Sequence, residues 1–246
     1  MLLPADAPTV ARDVDTGGRR IHRAVQLRPM CNRYVSPEAG DMERYWHIGR
    51  RTPWRGSEVF PRAPGPFIRA ERDAAEQKRE LVIGQWALVP WFAKAAKLAY
   101  STNNARFEEI ATKASFKSSW QYGKRCIIPA VSFDEPNWES SKNVWWRFRR
   151  ADGTPWGLAG LWNTWTDKST GEIVESYTML TLNADAHPLM KRMHKPDPKL
   201  GPDEQDKRSV VSIELEDADQ WLFGTVEQAA RLVRLPPVEV FDAGPL

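Results

Sequence analysis

The sequence predicts an α+β fold built as a single domain. Short β-rich segments come in runs instead of alternating strictly with helices, the pattern of α+β rather than wound α/β chains. At 246 residues the chain is long enough to bury a sizeable core. No linker-like stretch, internal repeat or low-complexity tract divides it after residue 30.

Residues 1–29 mix Pro, Asp, Arg and Gly without periodicity, and no apolar signal segment follows the Arg19–Arg20 pair. This leader is read as disordered, as a cleaved propeptide, or as lying upstream of the biological start, which leaves residues 30–246 as the working domain. Order is expected to begin at Ser36-Pro37-Glu38, with Ser as N-cap, Pro at the first helical position and an acid in the first turn. That helix should run to about Ile48.

Strands are then expected at Leu81 to Val89, Arg125 to Pro129, Asn143 to Arg149, Trp156 to Trp165 and Ile173 to Leu182, each apolar or β-rich. Helices are expected near Ala105 to Lys113, Phe116 to Tyr122, Ala184 to Met193, Glu214 to Phe223 and Thr225 to Val233. The charged run from Asp197 to Arg208 reads as a solvated loop, with Lys199, Lys207 and Arg208 near enough to brush a phosphate backbone.

The chain carries a net charge of +3, and five Arg against three Asp in residues 1–29 leave the remainder at only +1. Attraction to a polyanion must therefore be local. Two cysteines provide no disulfide framework and match no zinc spacing, which suits a reducing cytoplasm. No apolar run approaches the ~20 residues of a membrane-spanning helix. Twelve tryptophans are the compositional oddity: most belong in the core, a few are candidate stacking platforms.

Taken singly, the polar candidates have ordinary readings. Cys31 suits a small buried hydrophobe, His194 a satisfied surface histidine, Glu135 a solvated carboxylate after a strand, and Asn104 a helix cap. Cys126, inside the apolar run RCIIP, should be buried and inert, and His22 and His187 have no assigned role.

Together they say more. MCNRY, WALVPWFAK, NNARFE, RCIIPAVSFDEPNW, AGLWNTW and LTLNADAHPLMKRMHKP follow one another in a fixed order. In this the chain resembles the SRAP family, the SOS response-associated peptidases or abasic-site processing proteins, from Met30 to about Phe223. The resemblance implies a mostly antiparallel, barrel-like curved sheet core flanked by helices. It also implies an active cysteine behind an initiator Met, here Cys31 behind Met30. The family's catalytic asparagine, glutamate and histidine fall on Asn104, Glu135 and His194, and its DNA-contacting positions on Arg33, Trp91, Phe92, Arg106 and Thr181. The chain departs from the family pattern at Asn32, where glycine is usual, and at Pro61-Arg62-Ala63-Pro64, where an asparagine is missing. Pro136 stands where a tryptophan usually follows the glutamate, and His194-Lys195-Pro196 replaces the usual ending.

The resemblance implies covalent capture of abasic sites through a thiazolidine, because only an N-terminal cysteine brings an amine and a thiol to one carbon. The implied partner is single-stranded DNA containing abasic sites, engaged by a monomer in the cytoplasm or on the nucleoid after damage, without membrane, metal or cofactor. Two alternatives stay open. One is a thiol peptidase or amidase acting in trans with Cys31, His194 and Glu135; the other is a non-covalent binder of single strands.

Overall fold

Strand register, more than any helix, shapes this chain, which a computed structural model describes over residues 31–50, 52–72 and 74–246. The leader, Met30 and His22 lie outside the described residues. In chain order the first elements are β1 (Tyr34–Val35), α1 (Ala39–Trp46), β2 (Glu58–Val59), β3 (Pro64–Ala70), β4 (Arg79–Trp86) and β5 (Asn104–Arg106). Then come α2 (Ala114–Gln121), β6 (Arg125–Ala130), β7 (Ser132–Asn137), β8 (Val144–Arg150), β9 (Trp156–Thr166) and β10 (Ile173–Asn183). β11 (Arg208–Val210), α3 (Ala218–Phe223), α4 (Val226–Ala230) and β12 (Phe241–Pro245) complete the chain.

Strands β9, β6, β3, β4 and β10 are each hydrogen-bonded to the next, and β10 pairs back onto β9, so they close a five-stranded barrel. All its pairs are antiparallel except β4 with β10, and β5 also joins β10 in parallel. Beside the barrel lies a wholly antiparallel sheet in the order β12-β8-β7-β1-β2. Every residue of β6 and of β7 is buried. One core cluster, with Phe67, Trp86, Phe133, Phe148 and Trp156, includes Cys31 and Cys126. The other packs Trp46, Trp120 and Trp221 from the helices against the barrel.

Several expected elements are corrected. Ser36 does not cap α1, whose N-cap is Glu38. Its hydroxyl instead accepts from Trp54 Nε1 at 2.9 Å and from Ser57 N, and donates to Ser57 O, stapling the following loop. The helix stops at Trp46 because His47 turns left-handed, with φ 48°. The helix expected over 105–113 is β5 followed by a 3-10 turn, Phe107–Glu109, since residues 104–106 pair with β10. The one expected over 184–193 is reduced to a 3-10 turn, Met190–Arg192, because Nδ1 of His187 takes the amides of Leu189 and Met190. His187 is thus buried and structural, its Nε2 against Pro236 O. The run Asp197 to Arg208 is not simply solvated: Gln205, Lys207 and Arg208 are buried.

Gly160 marks a close approach in the barrel. A Cβ there would meet Thr178 O at 2.7 Å and both Cys126 Sγ and Ile128 Cδ1 at 2.9 Å. Gly160→Ala should therefore overpack this wall and cost about 1–3 kcal/mol, read as a lower urea midpoint at unchanged slope.

Candidate active site

The site begins with an antiparallel register. Tyr34 pairs with Phe133 and Val35 with Ser132, and Asp134 N donates to Arg33 O at 3.0 Å. Continued back along the chain, this register sets Asn32 opposite Glu135 and brings Cys31 to the same end of β7. Asn104, at the start of β5, reaches over from the barrel, and its Nδ2 donates to the Cys31 carbonyl at 2.9 Å. The other amide atom, Oδ1, is buried with no hydrogen-bond partner.

His194 arrives from the far side. Its backbone N–H donates to Pro136 O at 2.7 Å, and its Nε2 lies 2.9 Å from Glu135 Oε2. The residue holds φ at 62°, a left-handed conformation uncommon outside glycine and associated with functional sites. Lys207 Nζ donates to the carbonyls of Met193 at 2.7 Å and His194 at 2.5 Å, bracing that backbone from behind. Glu135 itself lies inside β7, 2% exposed, and not in the solvated position after a strand that its local sequence suggests.

Cys31 is 1% exposed, and Sγ lies 3.7 Å from Arg33 O. Burial pushes its thiol well above the ordinary cysteine value, and the carboxylates of Glu135 and Asp134 add to that, against a hydrogen bond with the Arg33 backbone that lowers it. At neutral pH the group is a thiol, not a thiolate. The hydrogen bond of His194 Nε2 goes to Glu135, so Cys31 and His194 do not form the bonded nucleophile–base pair of a thiol protease. Cys126 is likewise buried, and desolvation raises its thiol too.

A cleft of about 510 Å³ opens beside this centre, lined by Arg33, Phe60, Trp138, Trp145, His194 and Lys195 among others. Arg33 is held by Asp134 at 2.5 Å and lies over the Trp145 ring; Lys195 lies over Trp138. The remaining expected DNA contacts sit elsewhere. Trp91, 68% exposed, and Phe92 meet edge to face in the loop after β4. Arg106 is half-buried and pairs with Asp206. Thr181 is buried in β10, its hydroxyl donating to Ala105 O at 3.5 Å and its carbonyl taking Arg208 at 2.9 Å.

The structure therefore gathers Cys31, Asn104, Glu135 and His194, with Arg33 at the mouth. Sequence reasoning missed Asp134, which holds Arg33, and Lys207, which braces His194. It also missed Trp138, Trp145 and Lys195 as cleft walls. The available signals were the Asp134-Glu135 pair and two Trp flanking one short loop. Among the described residues no helix is long and apolar enough to cross a membrane, and no three His, Cys, Asp or Glu side chains gather as a metal site would need.

A family model described as SOS response associated peptidase (SRAP) matches residues 30–243. The abasic site processing protein HMCES of Xenopus tropicalis is 27% identical over 81% of this chain and 61% of its own length. The abasic site processing protein YoqW of Bacillus subtilis is 32% identical over 50% of this chain and 54% of its own. The chain thus spans little more than half the length of these relatives. A crystal structure of a Bordetella bronchiseptica protein, 31% identical, covers 88% of this chain and 99% of its own, with a TM-score of 0.77. One from Bacteroides thetaiotaomicron, 20% identical over 88% and 92%, has a TM-score of 0.67 and shares the fold.

Proposed function

Because the chain belongs to the SOS response associated peptidase (SRAP) family, we propose that it processes abasic sites in DNA, capturing them as a covalent thiazolidine on an N-terminal Cys31, preferentially in single strands. The names of its relatives support the abasic target. The observation that carries the reading is the hold of Asn104 on Cys31 at one end of the strand bearing Glu135, itself bonded to His194.

An abasic sugar exchanges between a closed ring and an open-chain aldehyde. An α-amine has a pKa of about 7.7–8.0, so a useful fraction is neutral near pH 7. Its nitrogen adds to the aldehyde carbon, and loss of one water leaves an imine. The thiol sulfur then adds to the imine carbon while its proton passes to nitrogen, closing the five-membered ring. Burial and nearby carboxylates favour the protonated thiol of Cys31, and its proton is the one this step passes to nitrogen. Glu135 takes the ammonium proton, and His194 opens the sugar ring and delivers a proton to the departing oxygen. The unpartnered Oδ1 of Asn104 is an acceptor for the α-ammonium. Arg33 offers a fork to a phosphate at the cleft mouth.

While the nitrogen of Cys31 is an amide, no imine can form. The reading therefore requires the bond after Met30 to be open, whether by synthesis from Met30 and removal of that residue or by cleavage of the leader, including self-cleavage. The thiol peptidase reading has less support, since a protonated thiol without a bonded imidazole is a poor acyl nucleophile.

The test incubates protein beginning at Cys31 with a single-stranded oligonucleotide holding one abasic site. A denaturation-resistant adduct one water lighter than its components, absent with Cys31→Ala, is expected. An adduct that survives Cys31→Ala, or none from the parent, defeats the reading.

A further inference from the structure

Away from the cleft, one indole carries three cations. The Arg69 and Arg72 guanidinium carbons lie 4.2 and 4.8 Å from the centre of the Trp162 ring, and the Lys124 ammonium lies 5.5 Å away. Two carboxylates answer them. Glu80 takes Arg69 Nε at 2.7 Å, while Glu175 takes Arg69 at 2.8 Å and Arg72 at 3.4 Å. Arg72 also donates to Thr164 Oγ1.

Lys124 has no such partner: among the described residues its Nζ hydrogen-bonds only the neutral Asn163 Oδ1, at 2.8 Å. Burial and then Arg72 lower its pKa, with Glu175 opposing and Arg69 adding a little. Trp162 N donates to Lys124 O at 2.9 Å, so the backbone fixes the residue at this spot. A half-buried ammonium held beside two guanidiniums gains from an arriving anion, and the Arg72 side chain is 44% exposed and able to share it.

The position of the cluster points to which anion. Asn163, whose Oδ1 holds Lys124, donates through Nδ2 to Val89 O at 2.8 Å, and Trp165 Nε1 donates to Ala93 O at 2.9 Å. These bonds anchor the two ends of the segment that carries Trp91 and Phe92. Lys124 and the segment bearing the exposed aromatic pair are thus linked through one side chain, Asn163, which bonds the ammonium on one side and Val89 O on the other.

We propose that Lys124 and Arg72, over the face of Trp162, bind a backbone phosphate of the single strand whose bases meet Trp91 and Phe92, outside the crosslinking centre. Lys supplies a point charge and Arg a fork of donors, both suited to the single negative charge of a phosphodiester. The inference rests on the DNA reading above, but only on its binding half.

The experiment measures affinity of the full chain for an intact single-stranded oligonucleotide, which cannot crosslink, across a range of NaCl concentrations. Lys124→Gln, which keeps a donor for Asn163, and Arg72→Gln should each lower the logarithmic salt slope by about 0.7, the value for one phosphate contact on a single strand. Lys124→Arg should keep the parent slope, as should Arg44→Gln, which removes a charge from α1. Parent-like slopes in both Gln variants overturn the site. So does stabilisation of the parent by inorganic phosphate at constant ionic strength, lost in the variants, with no change in slope; that marks a site for a free anion. A parent that forms no adduct with an abasic strand, yet shows the slope change, defeats the crosslinking reading and leaves this site standing.

Discussion

The Glu135→Gln form of the protein beginning at Cys31 should capture an abasic strand about 10²- to 10⁴-fold more slowly than the parent, the span a positioned acid–base group contributes. Direction alone makes this decisive. Removing a carboxylate beside an α-ammonium lowers the amine's pKa, which frees more neutral amine and by itself would speed attack near pH 7. Net slowing therefore points to lost proton transfer, by Glu135 itself or through the His194 that it holds. His194→Ala should slow capture as well. Because Nε2 and Oε2 are bonded at 2.9 Å, the double variant should be little slower than the worse single one. Single-turnover rates from pH 6 to 8 read all three. An unchanged Glu135→Gln rate, or effects that multiply in the double variant, would show that the pair does not work as a unit.

Asp134→Ala should cost about 3 kcal/mol of stability, near the lower end for breaking a buried ion pair. Asp134 is fully buried and takes Arg33 Nε at 2.5 Å and Arg147 in a fork at 2.9 and 3.0 Å. Its loss leaves two guanidiniums without their principal acceptor. The arginines are 25% and 21% exposed, so water reaches both and moderates the penalty. The same carboxylate aims Arg33 into the cleft, so the variant should also weaken DNA affinity while the unfolded-state slope in urea stays put. A loss under about 1 kcal/mol would mean that water satisfies both arginines in its absence.

The strands of the barrel were largely legible, since Arg125 to Pro129 and Trp156 to Trp165 are apolar runs that a closed sheet buries on both sides. β3 and β7 were not. Pro64 and Pro66 in β3, and Asp-Glu-Pro in β7, argue against a strand locally, and long-range pairing overrides them. The helix misread over 105–113 has the same cause: residues 104–106 are taken up by β10. For the site, the order of motifs pointed to Cys31, Asn104, Glu135 and His194, and the fold draws those four together. What positions them was not legible, because Asp134 and Lys207 look like ordinary surface charges until burial and partners are known. Nothing local signals, either, that Thr181 and Arg106, expected as ligand contacts, have Arg208 and Asp206 as protein partners.

Lys207 has one more consequence. The stretch 195–206 leaves the site just after His194 and returns at a lysine whose ammonium closes on the carbonyls of residues 193 and 194. Both oxygens of Asp185 take the returning amides of residues 206 and 207, and the side-chain amide of Gln205 binds the backbone of residues 197, 200 and 201. The excursion is thus tied off at its base, and the turn around residues 202–204 hangs free of the chemistry. For protein engineering this makes that turn a natural port: a tag, a fluorophore or a small domain inserted there would ride beside the reacting centre without being wired into it.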